Sequence, residues 1–313
     1  MTAKPHVLVC IALDPTHLAA LAVRHVVHDL PGGPPPEGPM PIGAIDAIAV
    51  VTNGTTGFSA ASMARLPRLR LIACFGAGHE RVDLAAARAA RIAVTHAPRV
   101  NDSTVADHAL ALMLALARGI VPLDRAVHRE EWRTSRTPRP TLNGRRVGIL
   151  GLGHIGSKIA ARAAAFETTV TYHSRTPAAG AAWQYVPTLV ELARLSDFLV
   201  IACPGGADTL HLVNAHVLDA LGPYGFLINV ARGSVVDTVA LGEALRRGTI
   251  AGAAIDVVEG EPDVPADLLT LDNVIFTPHV AGRSPDVLRA QLALCLANLD
   301  ANATGRPLVA RLD

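Results

Sequence analysis

The sequence lacks an excess of charge of either sign. Its 313 residues include 28 Lys and Arg against 27 Asp and Glu, which gives a formal net charge of +1 at pH 7. Proteins that bind nucleic acid or an anionic membrane surface usually carry a marked positive excess. The composition therefore predicts a globular protein without a nucleic-acid or membrane partner, in which a few local groups hold any anionic ligand.

Long hydrophobic runs are also missing. The longest apolar stretch, 109–117, is much shorter than the roughly 20 residues that a membrane-spanning helix needs. The N-terminus shows no signal-peptide pattern, because an apolar, strand-like segment begins directly at His6. We therefore expect a cytoplasmic location.

The sequence contains only four cysteines, Cys10, Cys74, Cys203 and Cys295, and no C-x-x-C pair. This spacing argues against a disulfide framework and a redox dithiol, and it favours reduced, buried thiols. The 13 histidines are scattered, without the spacing of a zinc site. We therefore expect no metal site.

The apolar segments alternate between strand-like and helix-like patterns. In the first part of the chain, the predicted strands are 6–12, 47–51, 69–73 and 92–94, and the predicted helices are 17–30, 59–66 and 84–90. A Pro- and Gly-rich loop is predicted at 31–41. Strands that alternate with helices indicate a parallel sheet with helices packed on its faces.

A helix capped by Asn101 or Asp102 follows, and Gly119 is its stop signal. Because nearly every side chain in 109–117 is apolar, this helix is expected to be buried on most faces. A second series is then predicted, with strands 147–150, 169–172, 198–202, 226–230, 251–255 and 274–277 and a last helix at 285–301. A chain of this length and pattern predicts two α/β domains with doubly wound parallel sheets.

The most specific signal lies in 147–175, which has the pattern of a strand, a glycine turn, a helix and a second strand. Gly151 permits the tight turn, Gly153 permits close approach of a pyrophosphate, and Gly156 permits close packing of helix on strand. The N-terminus of the helix then faces the anion. The apolar stripe of this helix is predicted to comprise Ile155, Ile159, Ala163 and Phe166. The segment predicts a dinucleotide-binding site.

The end of the second strand bears on the choice of cofactor. NAD sites usually place an Asp or Glu there to bind the ribose 2′-hydroxyl. No acid lies between Thr168 and Arg175, and Ser174 stands at the equivalent place, 18 residues after Gly156. A charge-assisted hydrogen bond from Arg175 to a 2′-phosphate is worth roughly 1.5–3 kcal/mol. NADP is therefore favoured over NAD, and a solvated charge at Arg175 is the alternative.

Three polar segments are expected at the carboxyl ends of late strands, where ligands bind in a doubly wound sheet. They are 229–234, 256–262 and 277–282, and they contain Arg232, Glu261 and His279. A 2-oxo acid that accepts a hydride needs a planar cation for its carboxylate, which Arg provides better than Lys. Its carbonyl oxygen needs a proton donor, and a histidine beside a carboxylate supplies one. Each residue alone is also compatible with a surface charge or a turn.

These motifs occur in the order found in a known family. They are FGAGHERVDL (75–84), VADHALALMLALAR (105–118), GLGHIG (151–156), NVARGSVVD (229–237), AIDVVEGEP (254–262) and TPHVAG (277–282). From about Val50 to Gly282 the chain resembles the D-isomer-specific 2-hydroxyacid dehydrogenases, in particular the glyoxylate/hydroxypyruvate reductase-like branch. The resemblance implies an NADPH-dependent reductase that converts small 2-oxo acids to D-2-hydroxy acids.

The resemblance also implies an architecture of two Rossmann-like α/β domains. A discontinuous, flavodoxin-like substrate domain would comprise 1–98 and 285–313, and an NAD(P)-binding Rossmann domain would comprise 99–284, with a cleft and hinge between them. A homodimer is implied as well. Its contact would be formed through the cofactor domains, by the 105–118 helix and the segment after it.

The resemblance assigns roles to individual residues. Arg232 would anchor the substrate carboxylate and carbonyl, His279 would bind the substrate and donate the proton, and Glu261 would be the partner of His279. Backbone groups of Ala77 and Gly78 would cradle the carboxylate. The implied cofactor-binding residues are Gly151, Gly153, His154, Ile155, Gly156, Ser174, Arg175, Cys203, Pro204, Thr209, Val230, Ala231, Asp256 (near the nicotinamide carboxamide), Ala281 and Gly282.

Some features depart from the family pattern. Relatives often have Tyr or Val with Asp-Asn near 76–82, where this chain has His79-Glu80-Arg81. The substrate therefore stays open among glyoxylate, hydroxypyruvate, 2-ketogluconate and aryl pyruvates. Trp132 resembles an aromatic residue that reaches the partner's active site in some relatives; the alternative is that it packs against a helix end.

Two other functions stay open at this stage. One is an NAD-dependent dehydrogenase that oxidises a D-2-hydroxyacid, phosphite, formate or phosphoglycerate, and the missing acid near Ser174 argues against it. The other is a dinucleotide-sensing, corepressor-like binding protein, which would keep the same fold.

Overall fold

Short hydrophobic segments form the strands of two sheets in the computed structural model, which describes residues 3–35 and 38–312. The chain divides into two compact units, Met1–Asn101 with Ser284–Asp313, and Asp102–Arg283. The predicted domain boundaries differ from these limits by up to three residues. The predicted α/β class with two doubly wound, mainly parallel sheets is confirmed.

The first unit is built on a six-stranded sheet. Its strands are β1 (His6–Val9), β2 (Val26–Asp29), β3 (Ala49–Thr52), β4 (Leu71–Cys74), β5 (Ala93–Thr95) and β13 (Arg311–Leu312), and its helices are α1 (Pro15–Ala22), α2 (Ala60–Ala64), α3 (Leu84–Ala89) and α11 (Pro285–Thr304). The strand order is β13-β5-β4-β3-β1-β2, and only β13 runs antiparallel to its neighbour. Without β13, this is the order of a flavodoxin-like sheet.

The second unit contains a seven-stranded parallel sheet. Its strands are β6 (Arg146–Leu150), β7 (Thr169–His173), β8 (Gln184–Tyr185), β9 (Phe198–Ile201), β10 (Phe226–Asn229), β11 (Gly252–Ile255) and β12 (Val274–Phe276). Its helices are α4 (Asp102–Arg118), α5 (Ile120–His128), α6 (His154–Ala164), α7 (Leu189–Arg194), α8 (Ala215–Leu221), α9 (Thr238–Arg247) and α10 (Ala266–Leu269). The order β12-β11-β10-β9-β6-β7-β8 reverses between β6 and β9, and ligands bind at such a switch point.

The helix α4 belongs to the core of the second unit. Its apolar residues, among them Val105, Ala109 and Met113, are buried together with Val147 of β6 and Ile159 of α6. Within 109–117 only Ala111 is exposed, so the expected burial on most faces is confirmed. No single helix among the described residues has the length and hydropathy to span a membrane; α4 and α5 meet that test only together, as a pair bent by 59°.

Several predicted elements were wrong. The predicted helix 17–30 is the shorter helix α1 followed by β2, because the β-branched Val26 and Val27 pair in parallel with β1. Phe166 is not on the stripe of α6, since the helix ends at Ala164 and Phe166 is exposed. No bounds were predicted for the helices α5 and α7 to α10 or for the strands β8 and β13. The described part of the 31–41 loop contains no helix or strand, and its residues 36 and 37 lie outside the described residues.

Candidate active site

The glycine turn after β6 has the steric properties that a dinucleotide-binding turn requires. Gly151 has a φ of 95°, and a Cβ there would lie 2.7 Å from backbone atoms of Cys203. A Cβ on Gly156 would lie 2.0 Å from the carbonyl oxygen of Gly151. A side chain at Gly151 would collide with the segment after β9, and a side chain at Gly156 would push the helix α6 away from the turn.

The N-terminus of α6 suits an anion. Gly153 caps the helix without a side-chain hydrogen bond, so the first N–H groups of the helix have no side-chain partner at the cap. A Cβ placed on Gly153 would meet nothing within 4 Å, which leaves space beside the exposed His154. Uncapped N–H groups, the positive end of the helix dipole and open space together fit a pyrophosphate.

Ser174 and Arg175 follow β7, the strand next to β6. The Ser174 hydroxyl donates to the carbonyl of Thr176 at 2.7 Å, and the Tyr185 hydroxyl donates to the carbonyl of Ser174 at 3.3 Å. Arg175 is exposed. These hydrogen bonds to backbone carbonyls hold the loop in place, and the guanidinium of Arg175 is left accessible to a ligand.

The segment after β9 completes the switch point. The Thr209 hydroxyl donates to the carbonyls of Pro204 at 2.9 Å and Gly206 at 3.2 Å, which closes this loop on itself. Burial raises the pKa of the Cys203 thiol to about 11. The thiol therefore stays protonated at neutral pH and is a poor nucleophile.

Arg232 lies in a turn shaped by a buried asparagine. Asn229, the last residue of β10, accepts a hydrogen bond from the N–H of Ala231 at 3.1 Å and donates one to the carbonyl of Arg232 at 3.0 Å. The Arg232 guanidinium donates to the carbonyl of Ala231 at 2.7 Å, and its aliphatic chain lies over Gly205. Asn229 is not among the functional residues predicted from the sequence, although Asn229 is the first residue of the motif that contains Arg232.

Asp256 lies at the end of β11 and organises the segment that carries His279. Its carboxylate, on a residue only 2% exposed, accepts hydrogen bonds from the Thr277 hydroxyl at 2.6 Å, the N–H of Val280 at 2.9 Å and the N–H of Ala281 at 3.0 Å. All these contacts are within the protein. The expected contact of Asp256 with a nicotinamide stays a prediction. Val230 and Ala231 directly precede Arg232, and Gly282 directly follows Ala281.

His108 of α4 is a further member of this network that the sequence did not indicate. Its Nε2 lies 3.0 Å from the Thr277 hydroxyl and 3.6 Å from the Asp256 carboxylate. Because the Thr277 hydroxyl donates to Asp256, the histidine Nε2 acts as the donor to Thr277. The available signal was a histidine within the apolar run of α4.

His279 and Glu261 form the predicted pair. The Nδ1 atom of His279 lies 2.7 Å from Oε1 of Glu261. A carboxylate only accepts hydrogen bonds, so Nδ1 carries a proton and Nε2 is the nitrogen left to exchange a proton with a ligand. His279 has a φ of 52°, a left-handed conformation that is uncommon outside glycine, and its N–H donates to the carbonyl of Asp256 at 2.8 Å.

The Glu261 carboxyl has a lowered pKa. Burial alone would raise it, but the hydrogen bond from His279, the charge of His279, a backbone hydrogen bond at Val258 and the charge of Arg232 outweigh burial. Glu261 is therefore ionised at neutral pH, in the electrostatic range of both His279 and Arg232. The three predicted catalytic residues thus follow adjacent strands at one edge of the second sheet.

Ala77 and Gly78 belong to the first unit, in the loop after β4. The carbonyl oxygen of Ala77 lies 3.0 Å from Nδ1 of His96 and 3.3 Å from Nδ1 of His79. A Cβ on Gly54 would lie 2.7 Å from the carbonyl carbon of Gly78, so the two loops pack closely.

Among the described residues, no group of three His, Cys, Asp or Glu side chains is placed to hold a metal ion.

A dinucleotide-binding turn and a hydrogen-bonded His–Glu pair near an arginine, all on one parallel sheet, define a nicotinamide-dependent oxidoreductase. The family model for the NAD-binding domain of D-isomer-specific 2-hydroxyacid dehydrogenases matches residues 110–281. The chain belongs to this family, whose members act on CH–OH groups with NAD(P). The resemblance inferred from the motifs is confirmed.

Several known proteins are similar over most of the chain. Glyoxylate/hydroxypyruvate reductase A of Arabidopsis thaliana is 42% identical over 262 residues, which are 83% of this chain and 84% of the relative. Hydroxyphenylpyruvate reductase of Plectranthus scutellarioides is 40% identical, with the same two coverages of 83% and 84%. The crystal structure of the NADPH-dependent glyoxylate/hydroxypyruvate reductase of Sinorhizobium meliloti, in complex with NADP and malonate, has a TM-score of 0.91 at 37% identity and covers 99% of this chain and 97% of that chain.

The pKa of Glu261 provides a test of the His–Glu pair. A carboxyl whose pKa is lower in the folded than in the unfolded state adds stability above its ordinary pKa of 4.5, and this stability is lost as the pH falls through the lowered value. His279→Ala removes two causes of the lowering and leaves the burial that opposes it. We expect the free energies of unfolding of wild type and His279→Ala to converge as the pH falls below about 4.5.

The measurement is urea unfolding at a series of pH values. His216→Ala, a change at an exposed histidine of α8, is the matched control and should follow the wild type throughout. A difference between wild type and His279→Ala that stays constant down to the acid limit would contradict the coupling.

Proposed function

We propose that this protein is an NADPH-dependent reductase that converts small 2-oxo acids of the glyoxylate and hydroxypyruvate type to D-2-hydroxy acids. The observation that carries the proposal is the 2.7 Å hydrogen bond between His279 and Glu261, in the electrostatic range of Arg232 and on the sheet that bears the dinucleotide turn. The names of the relatives from Arabidopsis thaliana and Sinorhizobium meliloti support this substrate class.

The substrate carboxylate is assigned to Arg232. A guanidinium offers two parallel N–H donors that match the two oxygens of a carboxylate. The Asn229 hydrogen bonds fix the backbone on both sides of the Arg232 turn, so the side chain starts from a defined position.

His279 is assigned as the proton donor to the carbonyl oxygen. The bound nicotinamide would supply the hydride. Glu261 accepts the Nδ1–H of His279 and so fixes the orientation of the ring, which leaves Nε2 to serve the substrate. Asp256 fixes the backbone directly after His279 through the bonds from the N–H groups of Val280 and Ala281, and so gives the ring a defined starting point.

Ser174 and Arg175 are proposed to bind the 2′-phosphate of NADPH. Arg175 is exposed, and no acid stands in Thr168–Arg175 to repel a phosphate. The NADP complex of the relative from Sinorhizobium meliloti supports the same choice. The other proposed cofactor contacts are the α6 N-terminus at Gly153–Gly156 and the switch-point residues Cys203, Pro204 and Thr209.

A cytoplasmic homodimer is proposed as the working state. The four cysteines are free, which suits a reducing compartment. On and just after α5, Ile120, Val127 and Trp132 are 53%, 45% and 65% exposed, an unusual set of apolar side chains for a solvated helix. A second copy of the chain is the proposed partner of this surface.

The cofactor assignment is tested by crossing NADPH and NADH with glyoxylate, hydroxypyruvate and phenylpyruvate, followed by the loss of nicotinamide absorbance. We expect fast, NADPH-preferring reduction of a small 2-oxo acid. Arg175→Ala should lower kcat/KM with NADPH about ten- to a hundred-fold, the equivalent of one charge-assisted hydrogen bond, and leave NADH unaffected. Arg194→Ala, at another exposed arginine, is the control. Equal loss with both cofactors would refute the phosphate contact.

The catalytic roles are tested by two substitutions. His279→Ala should lower kcat by roughly 10²–10⁴-fold, the usual contribution of a positioned acid, with nearly unchanged NADPH binding. Arg232→Ala should raise KM and lower kcat together, because loss of the anchor weakens substrate binding in the ground state and destabilises the transition state still further. Steady-state kinetics and NADPH titration separate these effects. Full activity of His279→Ala, or an unchanged KM in Arg232→Ala, would rule out the corresponding role.

The dimer is tested by light scattering of the purified protein. We expect a mass of two chains for the wild type and of one chain for the double variant Ile120→Asp and Val127→Asp, because each new charge would be buried in the contact. Val239→Asp, at an exposed position of α9, should remain dimeric. A monomeric wild type, or a dimeric double variant, would exclude this surface.

A further inference from the structure

A second His–Glu pair lies beside the catalytic one. Glu259 and Glu261 are two residues apart in the loop after β11, and Glu261 binds His279. Glu259 binds His211, whose Nε2 lies 2.9 Å from both carboxylate oxygens. Because a carboxylate only accepts, Nε2 of His211 is the donor to Glu259. The reaction assigned above makes no use of this pair.

His211 also contacts the loop of Arg232 through its backbone. Its N–H donates to the carbonyl of Ser234 at 2.8 Å, two residues after Arg232. Its φ is 51°, so His211, like His279, holds a left-handed conformation that is uncommon for a residue with a side chain. A single residue thus binds one catalytic loop with its main chain and the other with its side chain.

The two catalytic loops touch each other directly at Gly233. A Cβ there would lie 2.1–2.3 Å from backbone atoms of Val258 and Glu259, so the main chains are in contact without an intervening side chain. A shift of the Glu259 backbone would therefore move Gly233 and its neighbour Arg232. The same shift would also reach Glu261 along the chain, through Gly260.

We propose that His211 is a positioning residue that keeps the turn of Arg232 and the loop of Glu261 in one register, with its imidazole held by Glu259. The proposal rests on the proposed function in that Arg232 and Glu261 are the groups being positioned. It assigns His211 no contact with the substrate.

The exposure of this pair makes the proposal separable from a role in folding. The side chains of His211 and Glu259 are 40% and 37% exposed, and polar side-chain pairs of that exposure add little to stability. Substitution of a residue that only stabilised the fold would lower the melting temperature and leave kcat and KM of the folded enzyme unchanged. Substitution of a positioning residue would change kcat and KM and leave the melting temperature nearly unchanged.

The test compares His211→Ala, Glu259→Ala and His211→Gln with the wild type, and His216→Ala is the matched control. Glutamine retains an N–H donor at about the reach of Nε2. In His211→Ala and Glu259→Ala we expect kcat to fall and KM for the 2-oxo acid to rise, roughly ten- to a hundred-fold in kcat/KM, since small misplacements of this kind are costly. His211→Gln should recover most of the loss, and the double variant should be no worse than either single variant.

A second readout does not depend on turnover. The charges of Arg232 and His279 help to lower the pKa of Glu261, so loss of register should raise that pKa in His211→Ala, as measured by ¹³C NMR of the carboxyl group. If the wild type reduces no 2-oxo acid, the proposed function fails, whereas this pKa still tests the register.

Two results would overturn the proposal. One is an unchanged kcat/KM with an unchanged pKa of Glu261 in His211→Ala. The other is a loss of activity that follows a lower melting temperature and is not recovered in His211→Gln.

Discussion

The buried carboxylate of Asp256 is the interaction on which the rest of the candidate site depends. It stands at the end of β11, between the strands that lead to Arg232 and to His279. A carboxyl group buried in such a place needs hydrogen-bond donors for its oxygens, and here a hydroxyl and two backbone N–H groups of the 277–281 segment donate to it. Loss of any of them would leave a buried polar group with fewer hydrogen bonds than it needs. The path of the chain around His279 is therefore fixed from within the sheet.

This constraint explains how His279 can occupy a left-handed conformation. Such a backbone costs on the order of 1–2 kcal/mol for a residue with a Cβ, and it persists only where neighbouring bonds determine it. The N–H of His279 is bound to the carbonyl of Asp256, and the next two N–H groups are bound to its carboxylate. The strained turn directs the ring to Glu261, which lies in the loop after the same strand β11. One strand end thus provides both the support of the turn and the partner of the histidine.

The sequence predicted the parts of this site that depend on local sterics and on strand order. The roles of Gly151 and Gly156 follow from the space around a Cβ, and the meeting of Arg232, Glu261 and His279 follows from parallel strands that end at one edge. The sequence could not predict partners set only by tertiary packing. His108 and Thr277 are 169 positions apart, and His211 and Glu259 are 48 apart. The strand β2 was missed for the same reason, since its four residues are extended only because β1 lies beside them.

The loop after β11 shows how one short motif serves two histidines. In an extended strand, residues two apart point to the same face, which would direct Glu259 and Glu261 to a common partner. Gly260, between them, has a φ of 81°, so the chain turns there and the two carboxylates bind different rings. Glu261 binds His279, in the segment after β12, whereas Glu259 binds His211, in the loop between β9 and α8. The glycine between the two acids therefore separates Glu261, the proposed partner of the proton donor, from Glu259, the carboxylate proposed to hold the loops together.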